Sequence, residues 1–230
     1  MNICAVRLKD SFDSPVFKQV RQNIPPEKNV RLDRFARKED AERALLSEVL
    51  PRVLLSQAFG IRNRDIFFCK NEFGKPYVRN RSDAYFNVSH SGDWVVCALA
   101  RNEIGIDIEK IKQINSQIAD CFFSKEELVS LNHIEGNDRL NRFYEIWTLK
   151  ESYVKAVGEG LSMPLNSFTV RTGNRVVSVK SEKNFGQFYF KIFEIDEGYK
   201  MAACSRNNDF PHNVDIKDIA GVYEEFLLLR

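Results

Sequence analysis

The segment Ile104-Gly105-Ile106-Asp107-Ile108-Glu109 alternates strictly between apolar and other residues. As a strand it puts Ile104, Ile106 and Ile108 on one face and Gly105, Asp107 and Glu109 on the other. Strand rise sets the two carboxylates about 6–7 Å apart. A hard cation such as Mg²⁺ takes an octahedral shell of oxygens, usually a few carboxylates plus phosphate oxygens and water, and this pair begins such a shell. An ordinary strand with an acidic outer face reads the same way. A third acid, Glu151, falls on the face of Leu140, Tyr144, Trp147 and Val154 in the helical pattern from Leu140 to Val157. A carboxylate on an apolar face needs a partner, because desolvating it alone costs several kcal/mol. Lys155, one turn on, either pairs with it at i,i+4 or points with it into a site, the acid on a metal and the amine on a phosphate.

Anion chemistry is available nearby. Asn87-Val88-Ser89-His90-Ser91-Gly92 runs from a strand into a turn and offers two hydroxyls, an imidazole and backbone N–H groups. No nucleophile elbow supports a Ser-His-Asp arrangement. Gly74-Lys75-Pro76 holds a lysine between two residues that punctuate the backbone, a plausible phosphate contact. Lys28 to Arg43 carries six basic residues against four acids, a local anion site if they gather.

Elements must position these groups. Ala41, Ala44, Leu45, Leu46, Val49, Leu50 and Val53 recur at helical spacing from Glu39 to Leu55, with Asp33 or Asp40 available to begin the helix. Strand-like runs follow at Ile66–Phe68, Ala84–Val88, Trp94–Ala100 and Ile104–Glu109, with turn signals between them. Ser116–Phe122 and Lys125–Asn132 read as helices, the second opened by Ser124 with Glu126 and Glu127 in its first turn. The helix from Leu140 ends at Gly158 and Gly160. Strands at Ser167–Arg171 and Val176–Val179 come next, and a hairpin from Phe188 to Cys204 turns at Asp196–Gly198. Helix followed by strands thus occurs twice, an α+β fold of two similar halves.

The 230 residues, 43% hydrophobic and 12% aromatic, suffice for a substantial core. No tract reads as a flexible linker, so the halves must pack intimately. No run approaches the roughly 18 apolar residues of a membrane span, and Met1–Asp10 lacks the order of a signal peptide. A cytoplasmic protein is expected. The five cysteines lie far apart with no CxxC pair, which argues for free, mostly buried thiols and against zinc or a disulfide framework. A net charge of +2 names no partner by itself.

Together, Gly74-Lys75-Pro76, Phe86-Asn87-Val88-Ser89-His90-Ser91-Gly92, the Ile104–Glu109 strand, Phe122-Phe123-Ser124-Lys125-Glu126-Glu127 and the segment Trp147 to Ala156 resemble the 4'-phosphopantetheinyl transferases. The likeness is to the long, pseudodimeric branch that activates surfactin synthetase, and it spans nearly the whole chain. It implies two related α/β halves, 1–103 with the coenzyme A contacts and 104–230 with the metal site and carrier docking, with the active site in the cleft between them. It implies Asp107, Glu109 and Glu151 as Mg²⁺ ligands. Lys155, His90, Lys75 and Ser89 match phosphate contacts, Lys28 and Arg31 match basic positions near the 3'-phosphate of coenzyme A, and Arg43 is a further candidate there. At position 44 the branch often carries a hydroxyl, and this chain has Ala44.

The reaction so implied is that of a holo-carrier-protein synthase. A serine of an apo acyl or peptidyl carrier protein attacks the β-phosphate of coenzyme A and 3',5'-ADP departs. Glu151 is the first choice of general base and Glu127 the second. The carrier is expected on Ile111–Phe123 and the helical region that follows, with Lys110, Lys112 and Lys125 answering its acidity. At least one of Phe122 and Phe123 should be core. Neither nucleic acid nor a membrane is expected as partner, and the chain should act as a monomer. The rival readings are a magnesium-dependent phosphohydrolase or nucleotidyl transferase, and a module that binds coenzyme A or a carrier without turnover.

Overall fold

The computed structural model describes residues 1–8, 14–115, 117–173 and 176–229. In chain order the elements are β1 (Asn2–Arg7), α1 (Pro15–Gln22), α2 (Pro26–Leu32), α3 (Lys38–Phe59), β2 (Phe68–Lys70), β3 (Pro76–Val78), β4 (Tyr85–Ser91) and β5 (Trp94–Ala100). Then follow β6 (Ile104–Lys110), α4 (Gln117–Phe122), α5 (Lys125–Asn132), α6 (Gly136–Val157), β7 (Phe168–Gly173), β8 (Val176–Ser181), β9 (Tyr189–Phe193), β10 (Tyr199–Ser205), β11 (Asp215–Lys217) and α7 (Ile219–Leu228).

One plan occurs twice. A first strand leads to a helix of 22 residues, a small hairpin and a second hairpin whose last strand returns to pair antiparallel with the first. The resulting strand orders are β1-β5-β4 and β6-β10-β9. Both long helices stop at a glycine in the left-handed region, Gly60 at φ 65° and Gly158 at φ 86°, a backbone conformation that costs glycine little. The α+β fold of two similar halves expected from the sequence is therefore present, and the repeat includes the small hairpins that the sequence did not mark as equivalent.

The halves share a core. Ile3, Ala5, Val96 and Ala98 from the first pack with Ile104, Ile106, Ile108, Met201 and Ala203 from the second. The three isoleucines are 0% exposed, and burying each contributes about 2–3 kcal/mol. The other face of β6 is covered by α6, not by solvent. A Cβ on Gly105 would lie 2.0 Å from the Ser152 carbonyl oxygen and 2.4 Å from the Ala156 nitrogen. Only glycine admits the helix this close, and the approach brings Glu151 and Lys155 over β6.

Where β4 runs beside β6, side chains replace a backbone ladder. Asn87 Oδ1 accepts from the Ile106 N–H at 2.9 Å, Ser89 Oγ from Ile108 at 3.4 Å and Ser91 Oγ from Lys110 at 3.1 Å. Every second residue of one strand thus meets every second residue of the other, a register set by the period of two.

The chain's last elements go back to the first half. β11 pairs in parallel with β1, Cys4 opposite Asp215 and Val6 opposite Lys217, and α7 lays Ile219, Val222, Tyr223 and Phe226 into the core beneath α3. All five cysteines are free.

Several boundaries differ from the expectation. α3 begins after Arg37, with neither Asp33 nor Asp40 as cap; Asp40 instead sits in the first turn, where its charge meets the positive end of the helix. α6 begins at Gly136, a turn before Leu140. A single turn at Asn63–Asp65 moves the strand expected at Ile66–Phe68 to Phe68–Lys70. β4 continues through Ser91, so the hydroxyl-rich segment is strand, with the turn confined to Gly92-Asp93. Ser116, the expected start of α4, lies outside the described residues.

Candidate active site between the two halves

Asp107, on β6, is 3% exposed. Its Oδ1 accepts from Ser89 Oγ at 2.9 Å and from Lys155 Nζ at 2.5 Å. Its Oδ2 is buried with no hydrogen-bond partner. Leaving a buried acceptor unanswered costs about 1–3 kcal/mol, and more for a charged one, so such an atom calls for a ligand. Glu109, two residues on, accepts from Ser91 Oγ at 2.7 Å. Burial, and next the charge of Asp107, push its carboxyl above the usual range. The same two causes in the same order raise Glu151. The three carboxylates of the sequence reading therefore act on one another, and Asp107 is at the centre of the repulsion.

Lys155 does not pair with Glu151 in the plain i,i+4 manner. Its ammonium donates to Asp107, to Ser89 Oγ at 3.0 Å and to the Ile106 carbonyl at 3.3 Å. Among the described residues no group of three or more His, Cys, Asp or Glu side chains forms a ligand cluster by itself.

One residue beyond Ser89, His90 lines a cavity of about 330 Å³ with Lys28, Arg31, Arg43, Ala44 and Ser47. Four of the six basic phosphate-contact candidates of the sequence reading, which come from α2, α3 and β4, thus share one space. Arg43 is braced by the Gly92 carbonyl at 2.6 Å and by Asp40. Lys28 leans on Glu48 at 3.1 Å, whose other oxygen holds the buried Arg52 at 2.9 Å. Partial desolvation, then the neighbouring cations Arg43 and Lys155, hold the His90 imidazole below its usual value. Ala44 brings no hydroxyl, but Ser47 on the same helix lines the cavity and donates to the Arg43 carbonyl.

Comparison with known sequences finds two family profiles along the chain. Residues 13–102 match the profile described as 4'-phosphopantetheinyl transferase, N-terminal, and residues 103–204 match that of the 4'-phosphopantetheinyl transferase superfamily. The chain belongs to the 4'-phosphopantetheinyl transferase superfamily. It is 43% identical over 205 residues to the 4'-phosphopantetheinyl transferase Sfp of Bacillus subtilis (strain 168), covering 89% of this chain and 90% of the relative. The transferase gsp of Aneurinibacillus migulanus is 40% identical over 201 residues, covering 87% and 84% respectively. The transferase psf-1 of Bacillus pumilus is 34% identical over 220 residues, with 94% of each chain covered.

Two expected site residues of this phosphopantetheinyl transferase stand away from the cleft chemistry. Lys75 does not line the cation cavity. Its ammonium donates to the Ala156 carbonyl at 2.9 Å and the Ile104 carbonyl at 3.2 Å, and burial lowers it to about 8. In this arrangement it holds the last turn of α6 against β6. Glu127 is 2% exposed. Its Oε1 accepts from Lys150 at 2.7 Å and the Val170 N–H at 2.7 Å, and its Oε2 from Lys150 at 2.8 Å and the Ser124 N–H at 2.8 Å. A carboxylate has about four acceptor sites. All are taken, so Glu127, the second-choice base of the sequence reading, caps α5 and pairs with Lys150 in the core.

The sequence reading missed Lys150, and it took the Asn87–Ser91 side chains as anion contacts without seeing that they bridge the halves. Lys150, 0% exposed, answers Glu127 and the Phe168 carbonyl. Asn87 and Ser91 join the halves, and their i,i+2 spacing with Ser89 was the available signal. Lys110 is tied to Asp93 at 3.2 Å. Phe123 is core, stacked on Phe143, while Phe122 is 40% exposed beside Trp147. No helix among the described residues is long and apolar enough to cross a membrane.

Proposed function

We propose that the transferase moves 4'-phosphopantetheine from coenzyme A to a serine of an apo acyl or peptidyl carrier protein and releases 3',5'-ADP. The observation that carries the reading is the adjacency, along β4, of a cation-lined cavity at His90 and a carboxylate group anchored at Ser89. One takes the nucleotide phosphates, and the other supplies hard oxygen donors beside the reacting one.

Lys28, Arg31, Arg43 and His90 bind the nucleotide end, the 3'-phosphate lying with the arginines and Lys28. Lys155 and Ser89 orient the pyrophosphate. Asp107, Glu109 and Glu151 suit Mg²⁺, since all are carboxylates, they repel one another, and the buried Oδ2 of Asp107 has no protein partner. When bound, the ion neutralises charge on the phosphates and the leaving group. Glu151 takes the proton of the incoming serine hydroxyl, as the carboxylate at the edge of the metal site that the nucleophile can reach.

The carrier docks on Ile111–Phe123 and the start of α5. There Phe122 and Val129 are 40% and 59% exposed, and a groove of about 260 Å³ opens between Ile114, Leu131, Leu140 and Phe143. Lys112 and Lys125 face its acidic surface. The chain acts as a monomer, since its two halves already furnish both walls of the cleft. Residues 1–103 serve the nucleotide, and 104–230 serve the metal and the carrier.

The experiment is incubation with coenzyme A, Mg²⁺ and several apo carrier proteins, followed by intact-mass measurement. Addition of phosphopantetheine with an equal amount of 3',5'-ADP is expected. Free phosphopantetheine without carrier labelling would establish a hydrolase instead.

A further inference from the structure

The contact between β4 and β6 has an unusual composition. Each serine on β4 handles two groups of the other half at once, accepting a backbone N–H and donating to a carboxylate. Ser89 accepts from Ile108 and donates to Asp107; Ser91 accepts from Lys110 and donates to Glu109. Asn87 provides the first rung without an acid opposite.

A hydroxyl has one proton and two lone pairs. Once its acceptor side is fixed by a backbone N–H, its proton has a fixed direction, and the carboxylate that receives it has a fixed rotamer. Glutamate has three side-chain torsions and loses the most freedom by such fixing. Ser89 also receives Lys155, so its role is bound up with the phosphate site. Ser91 lies outside that contact: its hydroxyl donates to Glu109 and accepts from the Lys110 N–H.

We infer that Ser91 is a positioning residue, locking the second half onto β4 through the Lys110 N–H and aiming Glu109 into the metal site. The inference rests on the assignment of Glu109 as a metal ligand. It makes the alignment of the halves and the geometry of the carboxylates one and the same set of hydrogen bonds. Removing the hydroxyl frees the Glu109 side chain and strands a backbone donor, while leaving Asp107, Lys155 and the cation cavity in place.

The test uses the full chain, Mn²⁺ alone as the probe, and four variants: Ser91→Ala, Ser91→Thr, Ser91→Val and Asp107→Ala. Free Mn²⁺ is read by its paramagnetic resonance signal, and exchange of the Lys110 amide is read by NMR. Ser91→Ala should weaken Mn²⁺ about tenfold, as loss of a residue that orients a ligand does, and should speed exchange at Lys110 by a similar factor. Ser91→Thr, which keeps a hydroxyl, should stay near the wild type in both readouts. Thr and Val are alike in volume, so a weaker Mn²⁺ Kd in Ser91→Val than in Ser91→Thr isolates the hydroxyl even if the alanine variant does not fold.

Equal Mn²⁺ affinity in wild type, Ser91→Ala and Ser91→Val, with Asp107→Ala defective, overturns the inference and leaves the metal assignment standing. Unchanged protection of the Lys110 amide in the folded Ser91→Ala and Ser91→Val variants overturns the locking role. A wild-type chain that binds no Mn²⁺, together with an Asp107→Ala variant that behaves like it, overturns the metal assignment and this inference with it.

Discussion

Lys155 Nζ lies 2.5 Å from Asp107 Oδ1, while Oδ2 of the same carboxylate is buried without a partner. One oxygen is answered by the protein and the other is left for a ligand. With Lys155→Met, Asp107 keeps only the Ser89 hydroxyl, and the neighbouring acids lose their nearest cation. Breaking a buried pair from one side typically costs about 3–5 kcal/mol. The Lys155 side chain is 27% exposed, so about 2–3 kcal/mol is expected after screening by solvent. Thermal melts should show this loss without divalent cations and a larger recovery on adding Mg²⁺ than the wild type gives. Transfer should fall at least about a hundredfold. An unchanged melting temperature would show that Lys155 is not the counter-charge of Asp107.

Glu127→Ala is expected to act on folding and not on chemistry. It leaves the Lys150 ammonium, 0% exposed, with the Phe168 carbonyl alone, a loss of about 3–5 kcal/mol. The Glu127→Leu/Lys150→Met double variant should be less damaged than either single variant, because no charge is stranded. Urea melts order the three. A well-folded Glu127→Ala with a thousandfold lower turnover would return this residue to the list of bases.

Lys28→Ala combined with Arg31→Ala should weaken coenzyme A about ten- to a hundredfold and 3'-dephospho-coenzyme A only slightly, since the lost contacts need the 3'-phosphate. Calorimetric titration of both ligands decides it. Equal loss for the two would mean that the cavity receives a different part of the ligand.

Lys75 supplies a test in the alkaline range. Burial holds it at about 8 when folded, against 10.5 for the free side chain. The folded chain sheds this proton first, so between those values the unfolded chain binds more protons and stability rises with pH. Below about pH 8 both forms are charged and the cost of burial is present in full. Relative to Lys75→Met, the wild type should gain up to about 2–3 kcal/mol between pH 8 and 10.5. Urea denaturation at several pH values reads the difference. Parallel curves for the two proteins would mean that the lysine is solvated.

Much of the site was legible because it obeys the shortest periods in the chain. Alternation in Ile104–Glu109 put the three isoleucines in the core and the two acids on the other face, and helical spacing put Glu151 and Lys155 one turn apart. What alternation cannot say is what covers the second face. It is a helix, and the reason is Gly105, whose missing side chain admits α6.

Pairing across the chain was the other blind spot. Lys155, one turn beyond Glu151, left a local pair and a shared site both open, and in the fold its ammonium donates to Asp107 on the strand below. Glu127 looked available as an acid beside a conspicuous motif, and only the fold shows its four acceptor sites filled. The return of β11 and α7 to the first half rests on contacts with residues more than 150 positions away, and no local pattern announces them.

The same return has a consequence for how the molecule can be cut. β11 covers the outer side of β1, which would otherwise present a row of unpaired N–H and C=O groups ready to recruit another strand. A chain ended before Asp215 would keep every residue assigned here to phosphate, metal and carrier, yet it would carry an open flank inviting self-association. The final segment thus guards an exposed edge and at the same time closes the core beneath α3, so its loss would cost stability as well as invite self-association.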